Sequence, residues 1–564
     1  MSDLTTAAAE WIAGDPDPIT RAELQGIVDS GDLAELAERM GATLQFGTAG
    51  LRGRVEAGSN RMNRATVIRA TRGLADHLLA TVGTDAGPVV VGRDARLSSA
   101  VFMDDTVGVL VAAGFAVRFF EQPVPTPIVA YAARSLDAVA AVVVTASHNP
   151  PADNGYKVYA SNGAQIIPPT DGEIAAAIAA VGMASDVPRA EIVGAAATPI
   201  GGELFDDYLV EVAHSLPPTT GDRDISIVFT PMHGVGGRYV VGALERFGFS
   251  RIHPVASQFE PDGNFPTVAF PNPEEAGAMD LAHGLAAAID ADVVLANDPD
   301  TDRLAVSLPE PDGGYRQLTG NQIGVLLADF ILGRGAPESP IVLNSIVSSP
   351  MLGLIAAEYG AVYDRTLTGF KWIWNAALDL EAEGRGAYAF GYEEALGYSV
   401  GQTVRDKDGI SAAVAFAALV ADAKAGGATV WDRLGALYDR HGLWVSTQKS
   451  VVRPGTEGAA EIAGAMELLT ERVPGGLGGL AVTGSTDYRI GAEERPRYLG
   501  ATPLVELLLG DAGRVLIRPS GTEPKLKIYV DLRAEPGEDW FADEERLLSR
   551  ADRAAADAAA FLGF

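Results

Sequence analysis

Short apolar runs recur along most of this chain, each followed by a longer segment whose Ala and Leu return at helical spacing. Runs at 88–91, 115–120 and 139–144 form one set, those at 225–229, 249–255 and 293–296 a second, and those at 341–343, 361–363 and 387–390 a third. Continuous apolar runs between helix-period segments predict strands buried on both faces, hence three similar mixed-sheet α/β domains. Beyond about residue 444 the pattern changes. Strands near 448–452, 514–517 and 526–532 precede an Ala-rich terminal helix, which predicts a C-terminal α+β domain. Turn formers cluster at Leu216-Pro-Pro-Thr-Thr-Gly221 and Gly333-Arg-Gly-Ala-Pro-Glu-Ser-Pro340, so the expected domains are 1–216, 217–335, 336–443 and 444–564. Four domains also suit 564 residues at roughly 150 per domain. Near the start, Thr20-Arg-Ala-Glu23 reads as a capping box opening a short helix.

The third strand of each set runs into the most polar loop of its domain. Ligands of open α/β sheets bind beyond the carboxyl ends of strands, so the three loops are expected to line one central cleft. Composition narrows what binds there. The chain has no cysteine, which excludes disulfides, thiolate nucleophiles and Cys-based metal sites. A net charge of −31 argues against nucleic acid and anionic lipid as partners. A cytoplasmic location is the simplest expectation for a chain without cysteine; no apolar run reaches the roughly 18 residues of a membrane span, and the N-terminus lacks a signal-peptide pattern. An anionic substrate must then be met by local clusters of cations and N–H groups.

Four loops offer chemistry. Thr145-Ala-Ser147-His148-Asn149-Pro150 places a hydroxyl at a strand end, with His148 and Asn149 to orient it and Lys157 downstream as an acid/base or charge partner. Taken alone it reads first as an ordinary Ser/Asn turn capping a strand. Nothing here resembles a G-x-S-x-G elbow, which disfavours a hydrolase triad. Asp298-Pro-Asp300-Thr-Asp302-Arg303 sets three carboxylates at alternate positions; in an extended or gently curled loop they point one way and suit a hard cation. An EF-hand loop requires Gly where Arg303 stands, and a haloacid-dehalogenase motif expects Thr or Val where Asp302 stands. Gly391-Tyr-Glu393-Glu394-Ala-Leu-Gly397-Tyr398 pairs two acids suited to sugar hydroxyls. Arg405-Asp-Lys407-Asp-Gly409 follows as a further source of cations. Arg518-Pro-Ser520-Gly521-Thr522-Glu-Pro-Lys525 combines hydroxyls, free N–H groups and flanking cations, a pattern that cradles a phosphate dianion. The runs holding Arg52, Arg93-Asp94-Ala-Arg96 and Thr368-Gly369-Phe-Lys371 read singly as surface turns.

Together and in this order, the four loops resemble those of the α-D-phosphohexomutase superfamily, over essentially the whole chain. The resemblance implies four domains around a central cleft and a phosphorylated Ser147. It implies one Mg²⁺ held by Ser147, Asp298, Asp300 and Asp302, and phosphoryl-transfer or acid/base roles for Arg52, Lys157 and His148. Lys371, Glu393 and Glu394 would orient the sugar, and Arg518, Ser520, Gly521, Thr522 and Lys525 its other phosphate. Common phosphoglucomutases have serine where Ala395 stands, and this sugar loop is closer to the branch with phosphopentomutase and glucose-1,6-bisphosphate synthase.

The expected activity is therefore interconversion of hexose 1- and 6-phosphates, glucose or mannose, through a phosphoserine enzyme with a sugar 1,6-bisphosphate as activator. A phosphopentomutase or bisphosphate synthase is the alternative on the same scaffold. A metal-dependent phosphatase with Asp298 as nucleophile, or an idle sugar-phosphate sensor, are the rivals from other classes. Nothing in the sequence indicates an oligomeric state.

Overall fold

The computed structural model describes residues 2–45, 50–192, 194, 196–217, 222–311, 313–520 and 525–564. It divides into two compact units. The first holds Met1–Leu216, Asp222–Leu318 and Gly397–Ala421, and the second holds Pro217–Gly221, Thr319–Leu396 and Asp422–Phe564.

The nine strands expected from the three sets are all present, and each set uses one arrangement. Val89–Arg93 lies between Val117–Phe119 and Ala140–Val144, all parallel. Ser226–Thr230 lies between Arg251–Pro254 and Val293–Ala296 in the same way. In the second unit Pro340–Ser345 lies between Val362–Thr366 and Ala387–Glu393. Full burial of both faces explains the unbroken apolar runs: Val89, Val91, Val142 and Val144 have no exposed surface and pack on Phe102, Leu110 and Leu74 of the flanking helices. Burying each such side chain is worth about 1.5–3 kcal/mol.

The antiparallel strands that make the sheets mixed carry polar residues and no unbroken apolar run. Asp153–Ala160 runs antiparallel to Ala140–Val144, and Leu51–Arg54 pairs with its outer side. Ala305–Pro309 runs antiparallel to Val293–Ala296. The C-terminal domain is a five-stranded antiparallel sheet whose strands Leu443–Val452, Lys525–Ala534 and Gly513–Pro519 were expected, with the terminal helix Trp540–Phe561. Within the second unit this sheet packs through Leu516 and Tyr529 on Ile346 and Val347.

One expected cap is displaced. The helix Pro18–Ser30 begins at Asp17, whose carboxylate accepts from the Ile19 N–H, with Pro18 in its first turn. Thr20 is inside the helix, bonded to Asp15 at 2.6 Å, and Glu23 pairs with Arg39 at 2.6 Å. Proline fixes the helical φ earlier than the Thr-x-x-Glu spacing suggests. Among the described residues no single helix is long and apolar enough to cross a membrane.

Candidate active site

In the first unit the serine and the aspartates meet. Ser147 follows the buried strand Ala140–Val144, is 1% exposed, and donates from Oγ to Asp298 Oδ2 at 2.6 Å. Its φ of 53° places a non-glycine residue in the left-handed region, a strain that persists only where surroundings over-determine it. Thr145 supplies part of that hold, its Oγ1 accepting the Ser147 N–H at 2.8 Å and donating to Asp94 at 2.7 Å. His148 Nδ1 lies 3.2 Å from Ser147 Oγ; burial, then the nearby Arg303 and Arg52, pushes its imidazole well below the ordinary range, so it is neutral at pH 7.

Asp298, Asp300 and Asp302 follow the buried strand Val293–Ala296 and offer oxygens within 4.8 Å of one another. Of the extended or gently curled forms expected for this loop, the curled one is present. Thr301 has φ 64° and returns its N–H to the Asp298 carbonyl at 2.9 Å, so the loop curls. Gly234 permits that curl, since a Cβ there would lie 2.4 Å from Pro299 Cα. Oδ1 of Asp300 and of Asp302 are buried without a hydrogen-bond partner. Two buried carboxylate oxygens that accept no hydrogen bond among the described residues, one of them 3.9 Å from Arg303 Nε, beside a third acid fit a hard divalent cation with oxygen ligands. Burial, with Asp300 and Asp302 close by, raises Asp298 well above the ordinary carboxylate range.

Cations surround this cluster, and Arg303 Nε lies 4.0 Å from Asp298 Oδ2 and 3.9 Å from Asp302 Oδ1. Lys157, fully buried, donates to Asp300 Oδ2 at 2.7 Å and Asp302 Oδ2 at 2.8 Å. A general-base lysine needs a value well below the roughly 10.4 of free lysine. Burial alone would lower Lys157, but the two carboxylates outweigh it and set the ammonium above its usual value. Lys407 approaches Asp302 Oδ2 at 3.4 Å, held by Asp406, which itself accepts from Tyr159 and Gln165 at 2.6 Å each. Arg52 is paired in register with Gly155, two positions from Lys157 on one sheet face, and donates to Asn149 Oδ1 at 3.4 Å while its Nε makes no hydrogen bond among the described residues.

The remaining site residues fall in the second unit. Glu393 ends the strand Ala387–Glu393 and accepts the Gly369 N–H at 2.7 Å; Lys371 stands in the first turn of the helix Phe370–Ala382. Arg518 Nη1 donates to Thr368 Oγ1, bringing the end of the strand Gly513–Pro519 to the Thr368-Gly369 turn. Glu394 accepts from Ser345 and Ser348, both at 3.1 Å, so one of its oxygens is engaged in holding its own loop. Ser520 donates its N–H to the Lys525 carbonyl at 2.7 Å. Gly521 and Thr522 lie outside the described residues.

Sequence reasoning missed Thr126, whose N–H and Oγ1 donate to the carbonyl and carboxylate of Asp300 at 3.0 and 2.8 Å. The available signal was Pro-Thr-Pro at a helix start, which marks a rigid turn and not a partner. It also understated Arg96 and Asp94, each nearly fully buried.

Family models match in chain order: phosphoglucomutase/phosphomannomutase α/β/α domain I over residues 43–184, domain II over 206–312, domain III over 319–441, and the C-terminal domain over 481–546. A probable phosphomannomutase of Haemophilus influenzae is 39% identical over 498 residues, 87% of this chain and 96% of its own. A mouse phosphopentomutase is 33% identical, covering 97% and 93%, and a mouse glucose 1,6-bisphosphate synthase is 33% identical, covering 96% and 92%. Among solved structures, a putative phosphomannomutase from Thermus thermophilus superposes with a TM-score of 0.65 at 25% identity, over 90% of this chain and 99% of that one.

Proposed function

The chain belongs to the phosphoglucomutase/phosphomannomutase family, and from that premise we propose that it interconverts hexose 1-phosphate and hexose 6-phosphate through a phosphorylated Ser147. The observation that carries this reading is the 2.6 Å bond from Ser147 Oγ to the first acid of a converging carboxylate trio. Asp298, Asp300, Asp302 and the Ser147 oxygen would hold Mg²⁺, which supplies charge neutralisation of the phosphoryl group.

Transfer breaks the Ser147 Oγ–P bond and forms an O–P bond at the free sugar hydroxyl. One proton passes from that hydroxyl to the departing serine oxygen, giving a sugar 1,6-bisphosphate. Reversal through the other phosphate completes the isomerisation, and added bisphosphate regenerates phosphoserine. Because a phosphoserine carries about −1.5 to −2 charge, its approach to a second phosphate must be offset by cations. Arg52 and Lys157 are assigned that offset. As the ammonium, Lys157 supplies the acid half of an acid/base pair; the base half requires Asp300 and Asp302 to release it. Neutral His148 orients the serine oxygen.

Lys371 and Glu393 are assigned to the sugar, with Glu394 shaping the loop through Ser345 and Ser348. Arg518, Ser520, Gly521, Thr522 and Lys525 are assigned to the non-reacting phosphate. Arg518→Ala is expected to raise KM for the sugar phosphate about 10-fold or more, the scale of one charge-assisted contact, with a smaller change in kcat. An unchanged KM removes Arg518 from the clamp.

A second reading, phosphopentomutase or bisphosphate synthase, is favoured by the relatives of those names that match nearly end to end. A coupled assay of kcat/KM for glucose, mannose and ribose 1-phosphates, with the matching bisphosphate added, decides. The hexose reading expects a glucose or mannose substrate to lead; a leading ribose phosphate replaces it. We place this activity in the cytoplasm, consistent with a cysteine-free chain.

A further inference from the structure

We propose that Arg96 is the positioning residue that sets the Ser147 oxygen against the aspartate trio, acting through backbone carbonyls and a ring of the second domain without touching substrate. The inference rests on the phosphoserine reading of Ser147. Its ground is an uncommon use of a buried guanidinium. Arg96 is 2% exposed, and its two terminal nitrogens make four hydrogen bonds to main-chain carbonyls. Nη2 donates to Ser147 at 2.7 Å and Asn149 at 2.5 Å, and Nη1 to Pro150 at 2.7 Å and Asp153 at 2.9 Å. All four acceptors lie in the serine loop or at the start of the strand that leaves it.

Two further contacts hold the guanidinium itself. Asp94 Oδ2 lies 3.2 Å from its Nε, and the same carboxylate accepts from Thr145 Oγ1 and Ser99 Oγ at 2.7 and 2.6 Å. Its Oδ1 also accepts the Arg96 N–H at 3.0 Å. On the other side the guanidinium stands 5.3 Å from the centroid of Phe265, a residue of the domain that carries Asp298, Asp300 and Asp302. Phe265 is 3% exposed and held at φ 48°. Gly263 allows this approach, since a Cβ there would lie 3.0 Å from Arg96 Cα.

The arrangement joins the two halves of the chemistry. Ser147 sits in a backbone conformation that is strained for a non-glycine residue, so its loop relaxes unless something holds the carbonyls. Arg96 provides that hold and is in turn stacked on the aspartate-bearing domain. A planar fork can serve four carbonyls at fixed angles; the compact ammonium of lysine cannot. Loss of the fork therefore displaces the Ser147 oxygen while the charge is retained, and a misplacement of about 1 Å in a reacting group costs about 10²-fold.

The test is single-turnover transfer from phosphoenzyme to sugar phosphate, whose rate constant does not depend on the fraction of protein that is folded. Arg96→Lys is expected to lower that rate constant about 10²-fold at unchanged substrate affinity, with the burst amplitude kept. Phe265→Leu, which leaves the fork in place, is expected to lower it about 5-fold, the scale of a cation–π contact worth about 1 kcal/mol. In Arg96→Ala, millimolar guanidinium is expected to restore part of the rate. An Arg96→Lys rate constant equal to wild type, with only amplitude or melting temperature reduced, overturns the proposal. Should that variant fail to fold, an unchanged rate constant in Phe265→Leu overturns it equally. Wild-type protein that forms no phosphoenzyme overturns the phosphoserine reading, and this inference with it.

Discussion

Replacing Ser147 with alanine is expected to remove mutase turnover, a loss of about 10⁴-fold or more, the scale seen when a covalent nucleophile is deleted. The substitution removes one oxygen, which is the atom that carries the phosphoryl group between the two half-reactions. The loop itself changes little. Ser147 is held through its main chain, the N–H by Thr145 and the carbonyl by Arg96, so the loop has no need of the hydroxyl. The loop conformation should therefore persist in Ser147→Ala, and sugar-phosphate affinity with it, while the Asp298 Oδ2 that loses this hydroxyl costs about 1–3 kcal/mol of stability. Intact-mass analysis provides the second readout: wild type incubated with sugar 1,6-bisphosphate gains one phosphate, and the variant gains none. Turnover at the wild-type rate in Ser147→Ala ends the phosphoserine mechanism and revives the reading with Asp298 as nucleophile.

The second large effect concerns Asp298. Asp298→Asn is expected to lower kcat about 10³-fold and, in the metal-free protein, to raise the melting temperature. Both follow from one fact. Three carboxylates buried within 4.8 Å repel, and Lys157 serves Asp300 and Asp302 but not Asp298. The folded value of Asp298 lies well above its unfolded one, so the stability it contributes is present at pH below the unfolded value and is lost as pH rises through the folded one. Once pH passes the unfolded value, holding Asp298 desolvated among its neighbours is therefore a net cost to the metal-free fold, and an amide of equal size removes it. The same amide removes the charge that Asp298 offers a cation, and a site stripped of one contact to a developing charge loses about 10²–10³ in rate. Calorimetry with and without Mg²⁺ checks this: wild type should gain more stability from the ion than Asp298→Asn does. A variant less stable than wild type in chelator would show that the trio is not under electrostatic strain.

Phe265 and Thr126 mark where one-dimensional reading stops. The three strand sets were legible because full burial on both sheet faces forces unbroken apolar runs such as residues 139–144 and 293–296. Ser147 and the aspartate trio were legible because polar clusters at strand ends stand out against those runs. Lys157 was visible as a charge, yet the downward shift that a general base needs is reversed by Asp300 and Asp302, 143 and 145 residues away. Thr126 and Asp300 are 174 positions apart, and Tyr159 and Asp406 are 247 apart.

Period and composition along the chain thus set the number of layers, the parallel strands of each, and the loops in which chemistry resides. Such patterns report whether a side chain is buried and at what repeat, because burial is a property of one residue and its element. Pairing is a property of two residues brought together by closure of the fold. The Ser147–Asp298 contact, the raised Lys157 ammonium and the carbonyl fork of Arg96 were therefore decided only in three dimensions, where separations of about 2.5–3.2 Å fix which charges and dipoles meet.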